Sequence, residues 1–181
     1  PTRCGSLSAW SKGTCCHVRP KGDAKISFQF HALPETDFAD IFALSDDALD
    51  RMGATRMTVD QNPGTPGRVS LADAEVGETV ILVNYEQQPG HSPYRSRHAI
   101  YVREGASQAK PAIGEVPDMI ASRLISLRGF DAAHMMIEAD VVDGGEIADA
   151  LRATFENDAV SYVHLHIAKP GCFAARVTRP E

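Results

Sequence analysis

The residues best suited to chemistry lie near one end of the chain. His164 and His166 sit two apart in Tyr162-Val163-His164-Leu165-His166-Ile167, and Cys172 follows a Lys169-Pro170-Gly171 turn. A strand has a side-chain period of two, so Tyr162, His164 and His166 share one face and Val163, Leu165 and Ile167 the other. The returning segment alternates in the same way, with Phe173, Ala175 and Val177 set against Cys172, Ala174 and Arg176. A one-residue slip would exchange the faces, so matching apolar to apolar decides the register and brings His164, His166, Cys172 and Arg176 together. Two imidazoles and a thiol suit a divalent transition metal such as zinc, or a Cys–His catalytic pair. The bland alternative is a pair of histidines that satisfy hydrogen bonds at a sheet surface. The H-x-H pair also opens the metal motif of cupin barrels, but the downstream Glu of that motif is missing.

Two loops carry a second kind of chemistry. Gln61-Asn62-Pro63-Gly64-Thr65-Pro66-Gly67-Arg68 and Glu86-Gln87-Gln88-Pro89-Gly90-His91-Ser92-Pro93-Tyr94-Arg95 each combine Pro-Gly punctuation with an arginine. Each is able to hold a guanidinium fork toward the carboxylate or phosphate of a small anionic molecule. Arg68, Tyr94 and Arg95 are the candidate grips, and Tyr85 with Glu86 add a phenol and a carboxylate at the end of the preceding strand. Read plainly, these are structural turns whose arginines are solvated or paired with acids. For the ligand reading to hold, both loops must fold over the C-terminal hairpin.

Such residues need a scaffold. The 181 residues fit one domain, and 43% hydrophobic with 23% charged residues is an ordinary globular composition. A net charge of −6 gives no basic field for nucleic acid. The longest apolar run is Val80-Ile81-Leu82-Val83, so no membrane span is expected, and neither is a secretory signal. The location expected is the cytoplasm, with reduced thiols. Residues 1–25 lack any period and are read as a disordered tail. Cys4, Cys15, Cys16 and His17 in that tail are set aside as zinc ligands, because adjacent cysteines do not easily chelate together.

The folded part is expected over residues 26–179. Alternation of Ile26, Phe28 and Phe30 marks a strand. Phe38, Ile41 and Phe42 give a helical stripe opened by Pro34, and Ser45 caps a second short helix that Gly53 ends. Strands follow at Thr55–Asp60, Glu78–Tyr85, His98–Arg103, Arg123–Phe130 and Met135–Val142. Thr79–Val83 is apolar on both faces and reads as a central strand. Ile147, Leu151 and Phe155 repeat at helical spacing over Glu146–Glu156, and the hairpin Val160–Ile167 with Cys172–Thr178 closes the chain. The class is α+β: a mostly antiparallel sheet with short N-terminal helices and one helix in the C-terminal half packed on it.

Pro63-Gly64-x-Pro66-x-Arg68-Val69-Ser70-Leu71, Asp73-Ala74-x-x-Gly77-Glu78, Asn84-Tyr85-Glu86, Ser92-Pro93-Tyr94-Arg95 and His164-x-His166 with Gly171-Cys172-Phe173 occur in that order. Together they resemble the bacterial domain of unknown function family 1203, over essentially the whole folded part. The resemblance implies one domain in a bacterial, non-secreted context, and no particular activity, substrate or cofactor. The chain departs from the family pattern at Gly67, where a cysteine is usual, at Gln87, where a histidine is, and at Ile167, where an asparagine is. No P-loop, G-x-G-x-x-G, G-x-S-x-G or H-E-x-x-H is present. The readings left are a small-molecule or metal-binding protein, an enzyme included, built on His164, His166 and Cys172, and a non-catalytic structural or protein-interaction module.

Overall fold

The computed structural model describes residues 26–181, so the expected tail and its cysteines lie outside the described residues. Strand β1 is Gln29–His31. The stripe of Phe38 and Ile41 forms two 3-10 turns, Glu35–Phe38 and Asp40–Ala43, in place of the α-helix its spacing suggests. Pro34 precedes the first turn in an extended conformation. Helix α1 (Asp46–Arg51) starts where Ser45 accepts the Ala48 amide. Past it, Gly53 supplies the positive φ that ends the helical stretch.

Strands β2 (Thr55–Thr58), β3 (Thr79–Gln88) and β4 (Ser96–Arg103) form a three-stranded antiparallel sheet with β3 central, as its apolar run predicts. Helix α2 (Asp118–Ala121), four residues long, was not legible as a periodic segment. Strands β5 (Leu124–Phe130) and β6 (Met136–Asp143), helix α3 (Ile147–Phe155), and the hairpin strands β7 (Tyr162–Ile167) and β8 (Phe173–Thr178) complete the chain. The second sheet is antiparallel in the order β1-β8-β7-β5-β6.

Where a single sheet was expected there are two. One face of the five-stranded sheet buries Phe28, Phe30, Ile125, Leu127, Val163, Leu165 and Val177 against Ile147, Leu151 and Phe155 of α3 and Met119 and Ile120 of α2. The other face meets the three-stranded sheet, because Phe173 packs with Ile81, Val83, Ile100 and Val102. A buried phenylalanine in such a seam is worth about 3–5 kcal/mol against alanine. The polar face of β7 is therefore enclosed between the two sheets.

Candidate functional site

Period-two alternation puts Ser126, Arg128 and Phe130 of β5 on the same face as His166, His164 and Tyr162 of β7, since these residues pair directly across the ladder. On the other side of β7, His164 pairs with Arg176. His98 of β4 faces this surface from the three-stranded sheet, its ring edge-on to His166 at 4.9 Å between centroids. Between them lies a cleft of about 260 Å³ lined by Tyr94, Arg95, Ser96, His98, Arg128 and Phe130 together with Pro93, Met136, His164 and His166.

The β3–β4 loop forms one wall and is tied down at several points. Gln88 Nε2 donates to Tyr162 Oη at 2.6 Å, and Tyr94 meets the Phe130 ring edge-on at 6.0 Å. Gly90 passes so close to His134 that any Cβ there would fall on the imidazole ring. His134 Nδ1 in turn lies 2.9 Å from Tyr162 Oη. A bulge between Tyr85 and Gln88 turns Gln87 inward beside His98. The amide orientation that satisfies Gln87 has its oxygen accepting from Ser96 Oγ at 2.6 Å and its nitrogen donating to the Tyr85 and Ser96 carbonyls. It also brings the amide within 2.9–3.1 Å of His98 Nδ1.

The electrostatics of the cleft are one-sided. Arg128 donates through Nε to Ser126 Oγ at 3.3 Å and joins no ion pair among the described residues. Arg176 stacks over the Tyr162 ring at 4.7 Å and is equally without a carboxylate among them. Burial pushes both imidazoles down, His164 to about 3, with His166 and the nearby arginines adding to the effect, and His166 also to about 3. Both rings are therefore neutral at physiological pH. His166 Nδ1 lies 3.0 Å from the Gly171 carbonyl. His164 is 3% exposed, and neither of its nitrogens makes a hydrogen bond among the described residues.

The register corrects the expected clustering of Cys172 with the histidines. A bulge between Leu165 and His166 leaves Leu165 opposite Ala175 but His166 opposite Phe173. Phe173 thereby takes the place opposite His166 that alternation gives to Ala174, its ring edge-on to His164 at 5.1 Å, and Cys172 shifts off the histidine face. Cys172 Sγ instead accepts from Arg68 at 3.0 Å. Among the described residues no three His, Cys, Asp or Glu side chains are grouped to hold a metal ion.

Arg68 likewise does not present a fork to a ligand. It is 1% exposed and donates to the Phe173 carbonyl at 2.8 Å, to the Pro66 carbonyl and to Cys172. Strand β1 pairs only with residues 176–178 of β8, and nearer the turn Arg68 serves the hairpin backbone instead. Tyr85 also lies outside the cleft lining, with its ring against Phe38 at 5.5 Å and its hydroxyl donating to Asp37 at 3.4 Å. Glu86 pairs with Arg95 at 2.6 Å and holds that arginine at the cleft mouth. The cleft thus gathers Tyr94, Arg95, His164 and His166 of the expected set, without Arg68, Tyr85, Glu86 or Cys172. His98 and Arg128 belong there and were missed. Arg128 had a signal, being charged on a strand whose flanking residues Leu127 and Gly129 are buried.

A family model described as "Protein of unknown function (DUF1203)" matches residues 64–179, which include every residue lining the cleft. The chain belongs to the DUF1203 family. No match was found among curated proteins or among solved structures. In this DUF1203 protein Gln87 stands against His98 beside the cleft. At Gly67 an added Cβ would meet Ser70 Oγ at 2.8 Å and the Ala72 carbonyl at 3.1 Å, so a side chain there requires the Ser70 hydroxyl to rotate and the carbonyl to give slightly.

Proposed function

We propose that the protein binds a small anionic molecule in the cleft between its two sheets. One observation carries this reading: Arg128, a cation without a carboxylate partner among the described residues, shares a cleft with His164, a buried side chain without a hydrogen-bond partner there. Buried polar groups are ordinarily satisfied, and ring nitrogens that find no protein partner at a cleft wall are open to one in the cleft. A carboxylate or phosphate group supplies what guanidinium and imidazole N–H groups lack. Arg95, paired with Glu86 at the mouth, and Tyr94, Phe130 and Met136 on the walls give such a ligand further N–H donors and an apolar lining. A transition metal is a weaker fit, because the ligand set loses Cys172 to Arg68 and the surrounding charge is positive. The setting proposed is a reducing cytoplasm, in which the Cys172 thiol that accepts from Arg68 stays reduced.

The test is calorimetric titration of the full chain with inorganic phosphate and with small carboxylates, before and after Arg128→Ala. Saturable binding weakened at least tenfold by the substitution is expected. Failure of every anion to bind overturns the reading. A protein-interaction module is the second reading, favoured by the β5–β6 side, where Leu124, Ile137 and Val141 are 47%, 41% and 57% exposed on or beside an edge strand.

A further inference from the structure

The anion-binding reading leaves open what kind of anion the cleft takes, and the imidazoles narrow it. A carbonyl oxygen only accepts, so the 3.0 Å contact to Gly171 fixes the proton of His166 on Nδ1. Because the ring is neutral, Nε2 carries a lone pair and no proton. Among the described residues no fully buried side-chain nitrogen or oxygen lacks a partner, and His166 Nε2 has no protein partner there. Nε2 therefore keeps an opening, and the cleft is what His166 lines. The same holds for His164, which is neutral and so offers one donor and one acceptor nitrogen, whichever tautomer it adopts.

The cleft thus mixes two kinds of demand. Arg128 and the Arg95 N–H groups not taken by Glu86 supply donors that favour an oxyanion. His166 Nε2 and one nitrogen of His164 supply acceptors, which an oxyanion bearing only lone pairs repels and leaves unpaired. We propose that the cleft selects a small oxyanion that carries its own O–H beside the charge, the shared chemistry of a hydroxy acid and of hydrogen phosphate. This rests on the anion-binding reading and adds a rule to it: the ligand must donate as well as accept. A site built to hydrogen-bond a ligand hydroxyl discriminates strongly against the analogue without it, since the buried acceptors are then stranded.

Paired titrations at pH 7.5 test this on the unaltered chain: inorganic phosphate against sulfate, and lactate against propionate. The proton-bearing member of at least one pair is expected to bind tenfold or more tighter than its partner. A preference confined to phosphate identifies the phosphate source of the chemistry, and one confined to lactate the hydroxy-acid source. His166→Phe, which keeps a ring in the seam but removes the lone pair, is expected to shrink the preference by about tenfold in whichever pair shows it. If both members of each pair bind alike, the selection rule is overturned while anion binding stands. Binding of none of the four overturns the anion-binding reading itself.

Discussion

The two sides of the C-terminal hairpin handle buried polar groups in opposite ways. Toward the Gln61–Arg68 loop, a permanent cation is almost wholly enclosed, yet Arg68 is matched by the Phe173 and Pro66 carbonyls and the Cys172 sulfur. Toward the Glu86–Arg95 loop, His164 and His166 are enclosed as neutral rings whose remaining nitrogens find no protein partner among the described residues. The two loops look alike in composition, each with Pro-Gly punctuation and an arginine. The difference lies in satisfaction. A buried group whose hydrogen bonds are all met is architecture, and one left with open valence faces something that is not part of the chain.

Acid should break the imidazole side first. With folded-state values of about 3 against 6.5 in the unfolded chain, His164 and His166 are neutral in both states above pH 6.5 and impose no penalty there. As pH falls from 6.5 toward 3, the unfolded chain takes up protons that the folded chain refuses, and stability is lost across that window. Between pH 7.5 and 5 the two rings together account for up to about 4 kcal/mol. Glu78, held below its usual 4.5 first by the Glu75 amide, enters only at lower pH. Urea midpoints measured at pH 7.5, 6 and 5 should fall steadily, and His164→Leu with His166→Leu should flatten the trend. A midpoint independent of pH over this range contradicts the burial of neutral rings.

Arg68→Ala should break the opposite side, through stability and not through binding. It leaves two buried carbonyl acceptors unmet and a cavity behind the hairpin turn, for a cost of about 3–5 kcal/mol. At a temperature where the variant remains folded, its anion affinity should stay within about threefold of the parent protein, because Arg68 does not line the cleft. Thermal unfolding and titration on the same sample separate the two effects. Loss of affinity comparable to that of Arg128→Ala would place Arg68 in the site after all.

Much of the scaffold was legible because its signals are local. Alternation in Val160–Ile167, the apolar run of β3, the Ser45 cap and the Ile147, Leu151, Phe155 stripe each specify an element within a few residues. Division of the strands into two sheets was not legible, since it depends on pairings between distant segments such as β1 with β8. The site was half legible for the same reason. His164 and His166 share a face by strand periodicity alone, whereas the bulge opposite His166 moves Phe173 onto that face and Cys172 away from it. Small residues such as Ala174 and Ala175 fit either face, so nothing in Cys172-Phe173-Ala174-Ala175 marks the extra residue. Which loop arginine points inward was equally hidden. Gly67 bridges to Tyr101 and the Arg68 carbonyl accepts from Leu33, backbone ties made far from either loop in sequence.

Glycines in the two Pro-Gly loops give the smallest and sharpest comparison. At Gly64 an added methyl would meet the end of the exposed Gln61 side chain, at 2.9 Å from Nε2, and that chain is free to swing into solvent. At Gly90 the same methyl would fall on the His134 ring, whose Nδ1 is engaged with Tyr162 Oη and whose displacement loosens the wall of the cleft. Gly64→Ala should therefore change stability by less than about 0.5 kcal/mol. Gly90→Ala should cost about 1–2 kcal/mol by overpacking and weaken anion binding about three- to tenfold as the loop moves off β5 and β7. Denaturation and titration of the two variants side by side decide the matter, because both carry the same chemical change in the same kind of loop. Equal effects would mean that the Glu86–Arg95 loop is as loosely attached as its counterpart, and that the cleft wall is not held by the Gly90–His134 approach.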